Sequence, residues 1–138
     1  MKALILLFVL VFNLHVNASF ALEYKRHCFT KRYYVYVANK LPSGSSLTLH
    51  CASKDDELGY HTLAVNENFH WTFCDSFLLN TLFFCHLWWG SKNIAFEAFY
   101  SELGKDCGRD AICYWQAESD GIYFRGSKTY DWEISKAM

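Results

Sequence analysis

Beyond residue 22 the apolar positions recur with a period of two, and no stretch of helical length carries a period of 3.6. The clearest alternation lies in Ser46–Gly59. Leu47, Leu49 and Cys51 fall on one face there, with Thr48 and His50 on the other, as a half-buried strand requires. The strand pattern stops at Lys54-Asp55-Asp56-Glu57 before Gly59, charges that no core accepts unpaired. Upstream, Tyr33–Ala38 is aromatic and β-branched, and Asn39–Ser45 is a loop holding the only proline, Pro42. Downstream, Tyr60–Val65 and Phe69–Phe73 read as strands joined through Asn66-Glu67-Asn68. Thr81–Trp89 is apolar at nearly every position, which predicts a central strand covered on both faces. Gly90–Asn93 turns that strand into Ile94–Tyr100, and Ser101–Asp110 is a polar loop pinned through Cys107. Ile112–Ala117 places Cys113, Trp115 and Ala117 on one face, and Asp120-Gly121 signals a type I′ hairpin into Ile122–Phe124, with Trp132 closing the edge. Seven to eight short strands with regular turns predict an all-β, antiparallel β-sandwich in one domain.

The first residues follow another rule. Met1-Lys2, then apolar sequence from Ala3 to Phe12, then small residues around Ala18 and Ala21 form the layout of a secretory signal peptide. The apolar run is too short for the about 20 residues that a membrane-crossing helix needs. Residues 1–21 are therefore expected to be the signal, cut after Ala18 or Ala21, and 22–138 the sandwich domain. The sequon Asn17-Ala18-Ser19 falls at the cut, so no N-glycan is expected on the mature chain.

Charge narrows the partners. A net charge of −1 leaves no basic excess for nucleic acid and no polybasic patch for a membrane surface. Aromatic residues at 19% and a single proline indicate a folded chain.

Six cysteines, Cys28, Cys51, Cys74, Cys85, Cys107 and Cys113, follow an export signal, and an even count in an oxidising compartment reads as disulfides. Zinc ligation by His50-Cys51 and Cys85-His86 is the competing reading. It lacks a C-x2-C spacing, and adjacent strand residues point to opposite faces. The six histidines suggest acid–base chemistry, yet His27, His50, His61, His70 and His86 sit at strand or boundary positions with no catalytic motif around them. Asp55-Asp56-Glu57 lacks the alternate ligand spacing of a calcium loop and reads as a solvated turn. Trp71, Trp88 and Trp89 raise carbohydrate stacking, against the default of core packing in a small sandwich. No catalytic residue, metal site or cofactor is expected.

Taken together, Val35-x-Val37-x-Asn39-x-Leu41, Leu47-x-Leu49-His50-Cys51-x-Ser53-Lys54-Asp55-Asp56-x-Leu58-Gly59, Trp71-x-Phe73, Thr81-Leu82-Phe83-Phe84-Cys85-x-x-Trp88, Cys107, Cys113-x-Trp115 and Asp120-Gly121-Ile122-Tyr123 resemble the plant self-incompatibility S1 family, the S-protein homologues. The resemblance spans about residues 33–124. It implies a small, secreted, disulfide-bonded β-sandwich without known catalytic activity, whose founding role is as a pistil ligand that meets a pollen receptor and triggers rejection of self pollen. The family's four cysteines fall on Cys51, Cys85, Cys107 and Cys113, with Cys28 and Cys74 outside that pattern. Within that set the expected bridges are Cys51–Cys113, both on inward-facing sets, and Cys85–Cys107 by elimination. Cys28–Cys74 is then an extra bridge to the N-terminal segment. The implied partner is a cell-surface receptor, met through Lys40–Ser46, Ser53–Gly59 and Ser101–Asp110 at one end of the sandwich. Lys54, Asp55, Asp56 and Glu57 are the receptor-facing candidates, and the runner-up is a cell-wall carbohydrate module using exposed tryptophans.

Overall fold

In the computed structural model, which describes residues 2–12 and 27–136, the alternating segments fold into two five-stranded sheets. Ten strands form among the described residues: β1 (Arg32–Asn39), β2 (Leu47–Ser53), β3 (Glu57–Leu63), β4 (Asn68–Cys74), β5 (Leu82–Trp89), β6 (Lys92–Tyr100), β7 (Ile112–Glu118), β8 (Gly121–Phe124), β9 (Ser127–Tyr130) and β10 (Glu133–Ile134). One sheet runs β4-β1-β7-β8-β9 and the other β10-β6-β5-β2-β3. All pairings are antiparallel except β1 with β7, which is parallel. The all-β sandwich stands, with more strands than the alternation alone predicts. The extra ones are β9 and β10, short and polar enough to carry no periodic signal. Residues 2–12 are helical, and among the described residues no helix is long and apolar enough to cross a membrane. The cleavage positions at Ala18 and Ala21 and the sequon at Asn17 lie outside the described residues.

The alternating faces meet in the core. Val35 and Val37 of β1, Leu47, Leu49 and Cys51 of β2, Cys85 and Leu87 of β5, and Cys113 and Trp115 of β7 are buried together. Trp115 ties the two layers: its indole Nε1 donates to Ala98 O at 2.9 Å while its ring packs on Phe96 and Phe124. A buried indole is tolerated because that donor is satisfied. At one end Asn39, fully buried, donates through Nδ2 to Leu63 O at 2.9 Å and Ser45 O at 3.2 Å. Its Oδ1 accepts from Leu41 N at 2.9 Å, so one side chain closes the β1–β2 loop.

Three expectations are corrected. β5 is central but not covered on both faces: Leu82 and Phe84 are exposed and His86 and Trp88 half-buried, while Phe83, Cys85 and Leu87 point inward. Its apolar outer residues hide the alternation from a pattern reading. The β7–β8 turn centres on Ser119-Asp120, because Glu118 pairs with Gly121, and neither central residue has positive φ. Gly121 is required instead by close approach: a Cβ there would lie 2.2 Å from Tyr130 O of β9. Finally, the polar 101–110 segment contains a 3-10 helix, Leu103–Cys107.

Cys28–Cys74 forms as expected, and the other two disulfides differ from the expected pairs. Cys51 bonds Cys85, Cys107 bonds Cys113, and Cys28 bonds Cys74. Cys51 and Cys85 are direct cross-strand partners of β2 and β5, with Cα atoms 4.1 Å apart. Cys113 belongs to the opposite sheet, on β7, whereas Cys85 stands directly beside Cys51 in the ladder of its own sheet. Cys107, on the helix leading into β7, then reaches the nearby Cys113 rather than Cys85. Inward-facing was correctly read; which sheet each cysteine belongs to depends on strand order.

Candidate interaction surface

The strand registers sort the loops onto two ends. Residues 53–56, 75–81 and 101–111 gather at one end, next to the segment 27–31. Residues 40–46, 64–67, 90–91 and 119–120 gather at the other. Lys40–Ser46 therefore does not share a surface with Ser53–Gly59 and Ser101–Asp110, because β1 runs up the molecule and β2 runs back down.

On the first end, Ser53 clamps its loop twice: its N donates to Asp56 O at 2.8 Å, and its Oγ accepts from Asp56 N at 3.0 Å. This tight closure holds Lys54, Asp55 and Asp56 exposed. Glu57 behaves differently, as the first residue of β3. Its carboxylate accepts from Gly59 N at 3.0 Å and hydrogen-bonds to the His50 ring. The Gly59 amide, and after it His50, hold the Glu57 carboxyl below the usual carboxylate range. Glu57 is thus engaged within the fold. No ion pair among the described residues engages Lys54, Asp55 or Asp56.

The loop between β4 and β5 is the feature that sequence reading missed. Asp75, buried, accepts through Oδ1 from Ser101 Oγ and from Ser76 N, both at 2.9 Å. Its backbone N donates to Lys31 O at 2.9 Å, and its O accepts from the Thr30 hydroxyl. Ser76 N also reaches Thr81 Oγ1 at 2.8 Å, Ser76 Oγ donates to Asn80 Oδ1 at 2.6 Å, and Asn80 N donates back to Ser76 Oγ at 2.9 Å. Leu79 N closes onto Ser76 O at 3.0 Å with Leu79 in the left-handed region, φ +53°. This frame holds Phe77, Leu78 and Leu79 outward, 85%, 82% and 65% exposed. Phe29, 88% exposed, stands beside the Cys28–Cys74 bridge at the same end. The polar frame Asp75-Ser76…Asn80-Thr81 around an apolar triplet was the available signal. Between this loop and Ser53–Asp56 opens a cleft of about 450 Å³, floored by Phe73 and Phe83.

The 101–111 segment is anchored from behind. The Arg125 guanidinium donates to Cys107 O and, at 3.1 Å, to Ile112 O, while Cys107–Cys113 closes the loop. On the outer face of the second sheet, His50, Tyr60, His86 and Trp88 form a row of rings. His86 stacks on Trp88 with centroids 3.9 Å apart, Tyr60 on His50 at 4.5 Å, and Tyr60 on Trp88 at 6.0 Å. Trp89 packs against Trp132 and under the Lys92 ammonium. These rings engage one another, and neither tryptophan stands as the bare platform that sugar stacking needs. Trp71 is buried among Phe69 and Phe83.

Residues 34–136 match the family described as plant self-incompatibility protein S1. S-protein homolog 24 of Arabidopsis thaliana is 41% identical over 93 residues, 62% of this chain and 61% of that protein, so the match spans less than two thirds of that relative's length. S-protein homolog 5 of Arabidopsis thaliana is 33% identical over 94 residues, 68% of this chain and 72% of that protein. Self-incompatibility protein S1 of Papaver rhoeas is 33% identical over 103 residues, 72% of this chain and 73% of that protein. A solved self-incompatibility protein homologue, one of a widespread family of small, highly stable, secreted plant proteins, aligns with a TM-score of 0.61 over 76% of this chain and 97% of its own. At 19% identity that likeness speaks to the fold.

Proposed function

Because the chain belongs to the plant self-incompatibility S1 family, we propose that it is an exported extracellular ligand recognised by a cell-surface receptor, with no catalytic step of its own. Residues 1–21 serve as the export signal, a role supported by the apolar helix over residues 2–12, and 22–138 form the mature domain. The observation that carries the reading is the family match over 34–136, joined to three loops converging at one end of a disulfide-locked sandwich. Such a scaffold holds its strands fixed while exposed loops set specificity. Lys54, Asp55 and Asp56 face the receptor, and Glu57 supports them from the strand. Rejection of self pollen is the founding role that the resemblance implies; the receptor and process served here are chosen by the loops.

The test uses labelled mature protein on intact plant cells. Saturable binding that disappears after surface proteolysis is expected. Binding that survives proteolysis and is competed by wall polysaccharide would overturn the receptor reading.

A further inference from the structure

Resting on that reading, we propose that the Phe77-Leu78-Leu79 tip and the cleft beside it form the anchor of the receptor interface. The tip enters an apolar pocket of the receptor protein, and the cleft takes a basic side chain of the same partner between Asp55 and Asp56.

Single exposed apolar side chains are ordinary, but three in succession on a loop, with Phe29 at the same end, make a cluster that water disfavours. The fold does not let the loop collapse inward. Asp75, Ser76, Asn80 and Thr81 close it with five side-chain hydrogen bonds, including the one to Ser101. The tip is therefore ordered before any partner arrives, which lowers the entropic cost of association. Buried aromatic and aliphatic anchors surrounded by a polar rim carry most of the energy in protein interfaces.

Charge identifies the occupant. Asp55 and Asp56 line the cleft against a single Lys54, and no ion pair among the described residues engages them. A partner segment with one arginine or lysine flanked by apolar residues complements both the carboxylates and the phenylalanine floor. A lipid surface fits less well, since apolar membrane loops rely on flanking basic residues to meet anionic headgroups. Here carboxylates flank the tip, the chain carries −1, and Lys31 of the bridged segment lies over the Tyr33 ring, 5.2 Å from its centroid.

Two double variants test this in the cell-binding assay: Phe77→Ser with Leu79→Gly, since glycine accepts the left-handed backbone and, unlike asparagine, creates no glycosylation sequon with Thr81, and Asp55→Asn with Asp56→Asn. The first is expected to weaken saturable binding at least about tenfold with an unchanged melting temperature and near-UV spectrum. The second is expected to weaken it less and flatten its salt dependence. Unchanged affinity of the tip variant, while wild-type binding stays saturable and protease-sensitive, overturns this inference and leaves the receptor reading standing. Loss of saturable, protease-sensitive binding in the wild type sinks that reading first. Tip-dependent binding to protein-free phosphatidylcholine–phosphatidylserine vesicles, or a wild-type dimer that the tip variant dissociates in sedimentation, makes lipid or a second copy the occupant and also overturns it.

Discussion

At the scale of single residues, hydrogen-bonded polar groups give the sharpest expectations. Asn39 satisfies two carbonyls and one amide from a fully buried position, so Asn39→Ala strands three partners at once. It is expected to cost about 2–3 kcal/mol, read as a lower denaturation midpoint at unchanged slope. Tyr123 donates to Asp120 Oδ2 at 2.7 Å, and the carboxylate pushes the phenol up to about 12. Ultraviolet titration should resolve one tyrosine ionising near there, and Asp120→Ala should return it toward the ordinary value. Because that folded pKa is raised, its contribution to stability is present below the ordinary phenol range and fades as pH climbs through about 12. Glu57 works in the opposite sense. Its folded pKa is depressed, so its contribution holds above the unfolded carboxyl value and disappears as pH drops through the folded one. Glu57→Gln should therefore lower the neutral plateau of a melting-temperature profile slightly, leave its acid end in place, and so flatten the fall between them.

At the scale of elements, the bridges divide the work by loop length. Cys51–Cys85 closes a separation of 34 residues and Cys107–Cys113 one of 6. Replacing the first pair with alanine is expected to cost roughly 4 kcal/mol and the second roughly 2, on chain entropy, in chemical unfolding of the oxidised protein. The inward alternation of Leu47–Cys51 in β2 and of β7 was legible because polar or half-exposed residues alternate with the buried ones there, whereas β1 was legible only as an aromatic and β-branched strand. β5 was not, since Leu82, Phe84 and Trp88 put apolar side chains on its outer face as well. Pairing was the harder step. Cys51 and Cys113 look equivalent in the sequence, and only the order β10-β6-β5-β2-β3 places Cys85 directly beside Cys51. Short-range spacing would have favoured Cys107–Cys113, yet a loop-and-strand pair gives no periodic cue.

For the molecule as a whole, which loops share an end is set by connectivity rather than by any one motif. Lys54–Asp56 was legible as a solvated loop from its charges, whereas its company was not: Ser101 meets Asp75 across 26 residues. Asp55→Ser with Asp56→Ser is expected to weaken cell binding while the melting temperature stays nearly constant, because neither carboxylate joins an ion pair among the described residues. A large fall in melting temperature would make the loop structural instead. The parallel pairing of β1 with β7 carries a different consequence. A ribosome must release more than three quarters of the chain before the first strand gains its central neighbour, so the sheet that holds it cannot close until late in synthesis, a contact pattern that slows folding.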